Sequence, residues 1–190
     1  MKKATIIAAL LISSAAATFA QTWSVDKAHS RLGFNVTHLS VAELGGTFNS
    51  IDAKITSSKP DFSDAVVELS ADVNSINTDN EQRDGHLKSP DFFDAAKFPT
   101  LTFKSTSFKK VSDKTFKVSG NLTLKGVTKP VVLDVVVNGT STNPMSKKTV
   151  AGFKITGVIK RSDFGIAASM PAAMLSDEVT LQAGTEFTKD

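Results

Sequence analysis

Apolar and polar residues alternate with a period of two through most of the chain between residues 23 and 187. Residues 116–125 are the clearest example, because one face of this stretch is apolar and the other is polar. The apolar face carries Phe116, Val118, Leu122 and Leu124. Residues 178–187 repeat the pattern. A period of two predicts half-buried antiparallel strands, because successive side chains of a strand point to opposite faces.

Turn-forming residues separate these alternating runs and set the number of strands. They include Gly45-Gly46, Lys59-Pro60-Asp61, Ser112-Asp113-Lys114 and Asn138-Gly139. The spacing of the turns predicts eight or nine strands and no long helix. Residues 21–190 are therefore expected to form a single all-β domain, either a sandwich or an up-and-down barrel.

The first 20 residues differ from the rest of the chain. Lys2 and Lys3 precede a short apolar run that ends in small residues, which is typical of a secretory signal peptide cleaved before Gln21. We therefore expect the mature protein in the periplasm, with secretion as the alternative. Without Lys2 and Lys3, 20 basic residues face 19 acidic ones, so the charge does not favour a nucleic-acid partner. The chain has no cysteine, so its stability must come from burial and backbone hydrogen bonds.

Residues 79–96 hold the only candidate helix. Thr78 and Glu81 have the spacing of a capping box, and Pro90 is expected to end the helix. Ser89 followed by Pro90 predicts a second helical start. Three aromatic residues follow, namely Phe92, Phe93 and Phe98. A weakly amphipathic helix followed by aromatic anchors is expected to pack on an apolar surface.

The three histidines are His29, His38 and His86. Even the closest two are nine residues apart, whereas zinc sites usually show tight pairs, so no metal site is predicted. His38 falls on the same strand face as Phe34 and Val36. It is either a neutral core histidine or a polar contact for a ligand.

Catalytic motifs are weak throughout the sequence. There is no cysteine nucleophile and no Gly-x-Ser-x-Gly elbow. Arg83 beside Asp84 is interpreted as a local ion pair and hydrogen-bond anchor. Met170 and Met174 lie in a turn around Pro171, and they suit either an adaptable apolar site or a plug at one end of the core.

Several segments, taken in order, resemble the YceI family of periplasmic lipocalin-like proteins, also called polyisoprenoid-binding proteins. They are WSVDKAHSRLGFNVTHL, NTDNEQRDGHLKSPDFFDAAKFPTLTFKST, GNLTLKGVTKPVVLDV, and the closing IKRSDFGI with SDEVTLQAGTEF. The resemblance covers essentially the whole chain after the predicted signal peptide. It implies an extended eight-stranded antiparallel up-and-down barrel with a short helical lid around residues 79–96. It also implies one long apolar ligand, such as an isoprenoid quinone or polyprenyl lipid, and carries over no catalytic residues.

The chain is accordingly predicted to be a lipid-binding carrier without catalytic activity or cofactor. An eight-stranded barrel is wide enough to hold one slim ligand, and each buried methylene group contributes ~0.8 kcal/mol. The residues predicted to contact the lipid are Phe34, Val36, His38, Leu69, Arg83, His86, Phe92, Phe93, Phe98, Phe103, Leu122, Leu124, Phe153, Met170 and Met174.

Two other functions stay open at this point. One is an enzyme on the same barrel that uses His38 or His86 with a nearby acid. The other is a stress-protective protein with a solid core and no natural ligand. Besides the lipid, the compatible partners are a membrane surface, contacted transiently, and a second copy of the chain in a homodimer.

Overall fold

The computed structural model describes residues 20–190, which fold almost entirely into antiparallel strands. In chain order the strands are β1 Gln21–Val25, β2 Arg31–His38, β3 Ala42–Phe48, β4 Ile51–Ser57, β5 Val66–Asp72, β6 Ile76–Asn77, β7 Thr100–Lys110, β8 Thr115–Leu124, β9 Val127–Thr142, β10 Thr149–Lys160 and β11 Leu175–Lys189. Within this range a single α-helix, α1, spans Glu81–Leu87. Single turns of 3-10 helix lie at Lys27–His29, Val73–Ser75 and Arg161–Phe164.

Eight of the strands close into a barrel. Their order is β1-β4-β5-β7-β8-β9-β10-β11, and β11 pairs back onto β1. β11 pairs with β1 and then, further along the same edge, with β2. In the same way, β4 pairs with β1 and β3 pairs with β2. The short strand β6 pairs with β3. The predicted eight-stranded antiparallel barrel is confirmed, and closure gives each barrel strand two neighbours, which protects its edges.

The chain has more strand segments than the eight or nine expected from the turns. The extra segments arise because bends at residues 26–30, 49–50 and 73–75 interrupt three of the long strands. Alternation of apolar and polar residues reports which face of a strand is buried, but it does not report where a continuous strand bends.

The alternation correctly indicates the inward face of the strands. In β8 the polar residues Lys117 and Asn121 are exposed, whereas the apolar residues that alternate with the polar ones are buried. The buried set is Phe116, Val118, Leu122 and Leu124. These residues point into the barrel because the strand is pleated and pairs on both sides with β7 and β9.

Aromatic rings fill the end of the barrel where β1 begins and β11 ends. Phe62, in the turn between β4 and β5, is only 1% exposed. Its ring centroid lies 5.3 Å from that of Trp23 and 5.1 Å from that of Phe153. The Phe153 ring in turn makes an edge contact with Phe187 at 5.6 Å. This aromatic plug closes one end of the barrel.

The turn that carries Phe62 is held by the Asp64 carboxylate. Its oxygens accept hydrogen bonds from the Ser57 hydroxyl at 2.5 Å, the Ser58 hydroxyl and amide, and the Lys59 amide. Burial raises the pKa of the Asp64 carboxyl, but these hydrogen bonds outweigh burial and hold the pKa well below its usual range. The ionised carboxylate therefore fixes the turn that positions the plug.

Helix α1 begins differently from the prediction. Its N-cap is Asn80, whose side chain accepts a hydrogen bond from the Arg83 amide at 2.9 Å. The predicted capping box of Thr78 and Glu81 is therefore wrong, since Thr78 is buried and bonded to Asp84 instead. The helix ends before Pro90, as expected.

The second predicted helical start, at Ser89 and Pro90, is also wrong. Residues 90–97 form turns, in which the Ser89 carbonyl accepts hydrogen bonds from the amides of Phe92 and Asp94. Asp94 has a φ of 50°, and this left-handed conformation prevents a helix from continuing. The lid is therefore one short helix followed by a compact run of turns.

The predicted signal peptide, residues 1–20, lies outside the described residues apart from Ala20 and stays a prediction. Among residues 20–190, no helix has the length and apolar character needed to cross a bilayer.

Candidate ligand-binding cavity

The barrel encloses a cavity of about 540 Å³. Every strand except β1 and β6 contributes to its wall, together with the lid, residues 78–99. The lining is mainly Leu, Val, Ile and Phe. A cavity of this volume falls within the ~300–1,000 Å³ typical of small-molecule sites. Its shape and chemistry suit an apolar ligand.

Polar side chains are few in the wall and lie mostly at the lid end. The polar lining residues are His38, Thr78, Arg83, His86, Arg161, Gln182 and Thr185. Thr185 lies deeper, opposite Phe153 in the pairing of β10 with β11. Its hydroxyl is buried and has no hydrogen-bond partner among the described residues. The deep part of the cavity therefore offers one hydroxyl within an apolar wall.

Nearly all the residues predicted to contact a lipid line this cavity. They are Phe34, Val36, His38, Leu69, Arg83, His86, Phe92, Phe93, Phe103, Leu122, Leu124, Phe153, Met170 and Met174. Their contact with a lipid stays a prediction. The strand residues among them converge because residues on the inward face of a closed barrel share its lumen. The others reach the cavity from the lid and from the loop before β11.

Phe98 is the exception and does not line the cavity. Its ring packs over Gly126 in the turn between β8 and β9, where a methyl group would collide with it. Gly126 has a φ of 75°, so a glycine is favoured there for its backbone as well. The ammonium group of Lys97 lies 5.2 Å from the centre of the Phe98 ring. Phe98 therefore anchors the lid on the rim of the barrel.

Thr78 connects the strands to helix α1 through two charged residues. The Arg83 guanidinium donates from Nε to the Thr78 hydroxyl at 2.8 Å and from Nη2 to the Thr78 carbonyl at 2.6 Å. The Asp84 carboxylate accepts from the Thr78 amide at 2.9 Å. The hydrogen-bond anchor predicted for Arg83 is therefore present. The predicted ion pair is wrong, since no contact joins Arg83 to Asp84 among the described salt bridges.

Arg161 is a cavity residue that the sequence analysis missed. It is 4% exposed and donates all five guanidinium hydrogens to backbone carbonyls. The acceptors are the carbonyls of Ile166, Ala167, Met170, Leu175 and Ser176. We name residues 165–174 the mouth loop. The IKRSDFGI motif marked Arg161, but a strand-end arginine is ordinarily exposed, so only the fold reveals its burial.

Contacts between the lid and the mouth loop place them over the same end of the barrel. The Ala167 amide donates to the Asp91 carbonyl at 2.8 Å. The Lys125 ammonium group, in the turn between β8 and β9, donates to the Gly165 carbonyl at 2.9 Å. The rings of Phe48 and Phe93 meet edge to face at 5.8 Å beneath the lid. The loops at this end therefore form a connected cover.

The cover leaves an opening on one side. The lining residues that are exposed to solvent are His38, Gly45, His86, Met174 and Gln182. Three of them, His38, His86 and Met174, lie at the turn from β2 to β3, on helix α1 and in the mouth loop, and they border the opening. The His86 ring packs against the Phe92 ring at 4.8 Å, so it forms part of the edge of the opening.

The histidines do not converge on one point. His38 and His86 lie at the opening, whereas His29 is exposed outside the cavity with its Nδ1 2.9 Å from Asp26 Oδ2. A hydrogen bond to Asp26 raises the pKa of His29. Among the described residues, Asp26, His29 and Glu186 place potential ligand atoms within 4.8 Å of one another. Within this cluster the Asp26 carboxylate also caps the 3-10 turn at residues 27–29.

The chain is similar to known proteins over most of its length. The sequence pattern of the YceI-like domain matches residues 23–187. A UPF0312 protein from Staphylococcus aureus strain MSSA476 is 39% identical over 170 residues, which cover 87% of this chain and 96% of that protein.

Solved structures share the architecture. The YceI protein of Campylobacter jejuni is 34% identical with a TM-score of 0.74, covering 81% of this chain and 90% of that one. BcnA of Burkholderia cenocepacia is 23% identical with a TM-score of 0.76, covering 85% and 98%. A polyisoprenoid-binding domain from Saccharophagus degradans is 19% identical with a TM-score of 0.67, covering 88% and 98%. The last two similarities show a shared fold.

Proposed function

The chain belongs to the YceI-like domain family, and we propose that it is a periplasmic carrier that holds one long apolar lipid inside its barrel. The lipid is an isoprenoid quinone or a polyprenyl lipid. The observation that carries this proposal is the apolar cavity of about 540 Å³, closed by the Phe62 plug at one end and open beside the lid at the other. The polyisoprenoid-binding domain of the same fold agrees with this ligand class.

The distribution of polar groups determines how the ligand is oriented in the cavity. The tail enters the apolar lumen and extends towards the plug, because each buried methylene group contributes ~0.8 kcal/mol. The head group stays at the opening, where His38, Arg83 and His86 provide donors. A phosphorylated head would gain a charge-assisted hydrogen bond from Arg83, whereas a quinone needs only neutral donors.

The cavity also argues against the alternative of a stress-protective protein with a solid core and no ligand. An empty apolar lumen forfeits dispersion contacts along its whole wall, and a bound lipid restores them. Among the described residues, no Asp or Glu lines the cavity with His38 and His86. A carrier therefore fits the lining better than an enzyme that pairs one of these histidines with a carboxylate.

Native mass spectrometry of protein purified from its own host tests the proposal. We expect a retained hydrophobic molecule in near-stoichiometric amount, and solvent extraction should release it for identification. Delipidated protein should take up a quinone or polyprenyl lipid again. Recovery of an empty protein that takes up neither lipid would contradict the carrier function.

A further inference from the structure

The turn between β2 and β3 presents apolar side chains to solvent beside the opening of the cavity. Leu39 is 51% exposed and Val41 is 85% exposed, and Met174 of the mouth loop is 48% exposed. The Leu39 amide donates to the Met174 carbonyl at 2.9 Å, which joins the turn to the mouth loop. We call residues 38–42 and 168–174 together the rim surface.

The rim surface carries no Asp, Glu, Lys or Arg. Charged residues make up 22% of the chain, and they would be expected on exposed segments such as these. Every rim residue is exposed except Met170, which is partly buried. The surface is therefore exposed, continuous and uncharged.

The backbone of the turn holds Leu39 outward at an energetic cost. Leu39 has a φ of 51° and Ser40 a φ of 59°. Two successive residues in the left-handed region favour Asn and Gly, because a Cβ atom meets the following carbonyl in this conformation. A half-exposed leucine in such a turn adds little to the stability of the fold. Its position points to a role outside the fold.

We propose that the rim surface docks on a lipid bilayer, with Leu39 and Val41 inserted between the acyl chains. This inference rests on the proposed carrier function. His38 and Met174 belong both to the rim surface and to the cavity lining. A lipid that enters or leaves at this point therefore passes directly between bilayer and lumen, without exposing its chain to water.

The chemistry of the rim surface favours a bilayer over a second copy of the chain. Two rim surfaces packed against each other would cover both openings and separate the cavities from any lipid source. The absence of Lys and Arg also means that docking depends on apolar insertion. Binding should therefore occur on zwitterionic vesicles and should be insensitive to salt.

The opposite end of the barrel provides a matched control. Val111 is 63% exposed and Met145 is 92% exposed, and both lie in turns at the closed end. Neither residue lines the cavity. Their loss removes a similar amount of exposed apolar surface far from the opening.

The test compares a rim variant, Leu39→Asn with Val41→Thr, with a control variant, Val111→Thr with Met145→Gln. Asn tolerates the positive φ of residue 39, so the rim variant should keep its fold and melting temperature. Three quantities are measured: co-sedimentation with phosphatidylcholine vesicles, the rate of ubiquinone transfer from those vesicles, and equilibrium ubiquinone binding in detergent.

We expect the rim variant to lose about tenfold or more in vesicle binding and in transfer rate, with equilibrium binding in detergent unchanged. The control variant should match the wild type in all three. Equal transfer by the rim variant and the wild type would overturn the docking proposal. A wild type that sediments as a dimer, converted to monomer by the rim substitutions, would overturn it in favour of an interface between copies.

Failure of the carrier function would give a different result. Vesicle binding is also measured on protein that carries no lipid. A wild type that binds vesicles through the rim but takes up no ubiquinone or polyprenyl lipid in detergent would support docking and contradict the carrier function.

Discussion

The ring of Phe62 stands edge-on to the ring of Phe153, with centroids 5.1 Å apart and planes at 81°. This contact lies at the closed end of the barrel and joins a turn to the wall of the lumen. It also holds Phe62 in place at a φ of 60°, a conformation that bulky residues rarely adopt.

Phe62→Ala should therefore lower the free energy of unfolding by ~3–5 kcal/mol, because it removes a fully buried ring and leaves a cavity behind. Chemical denaturation of delipidated protein measures the change. Phe98→Ala serves as the control, because this partly buried ring packs over Gly126 outside the cavity. It should lower the free energy of unfolding by less. A loss below about 1 kcal/mol at Phe62 would show that the plug is dispensable.

Leu122→Trp tests whether Leu122 lines an open lumen or lies in a close-packed core. Leu122 lines the cavity, so the indole should occupy volume meant for the lipid and reduce lipid uptake with little change in melting temperature. Ile51 is equally buried but does not line the cavity, and Ile51→Trp should cost ~1–3 kcal/mol through overpacking. Both variants are measured without lipid, because a bound lipid raises the apparent stability. A large drop in melting temperature for Leu122→Trp with full lipid capacity would contradict the lumen.

Arg83→Gln tests the head group. We expect it to weaken binding of a polyprenyl phosphate by roughly tenfold or more and to spare a quinone, because a charge-assisted hydrogen bond is lost only with the phosphate. Thr78→Val is the control, since it removes the hydroxyl that holds Arg83 but keeps the guanidinium. If both variants weaken both lipids equally in a binding titration, Arg83 acts only as an anchor of the lid.

Arg161→Lys should disturb the mouth loop although the charge is kept. A lysine has one nitrogen, which cannot reach the five carbonyls that the guanidinium satisfies. We expect a loss of ~2–3 kcal/mol and faster hydrogen exchange of amides in residues 165–175. Arg31→Lys, at an exposed position on β2, should change stability by less than about 0.5 kcal/mol. Unchanged exchange in the loop would show that the carbonyls do not depend on Arg161.

Asp64 gives stability a defined dependence on pH. Folding holds its pKa well below the usual range, so its contribution is present above the unfolded value of about 3.9 and is lost as the pH falls below it. Asp64→Asn should cost ~1–2 kcal/mol at pH 7, and its stability should decline less steeply below pH ~4. Asp113→Asn, at a fully exposed carboxylate, should leave the profile unchanged. Parallel profiles for wild type and Asp64→Asn would contradict this role.

The strand faces could be read from the sequence because they depend only on parity. Alternation separates the two faces of β2, β8 and β11, but it does not say which face meets a lumen. Closure of the barrel decides that, and it brings Phe34 and Leu122 to the same cavity. The sequence did not predict Asn80 as the helix cap, because Asn80 and Thr78 are both good capping residues. Tertiary contacts decide between them, since Thr78 is used by Arg83 and Asp84.

Local sequence pattern was sufficient for the all-β class, the two faces of each strand and the single helix, because these follow from side-chain periodicity and turn chemistry within a few residues. Closure of the barrel decided the features that the sequence did not predict. Pairing β11 with β1 and β2 brings residues more than 130 positions apart into one wall, and no local pattern encodes that distance. The burial of Arg161, the place of Phe98 outside the lumen and the orphaned hydroxyl of Thr185 are consequences of that wall. Each depends on which distant backbone or ring comes to lie beside the side chain when the sheet closes.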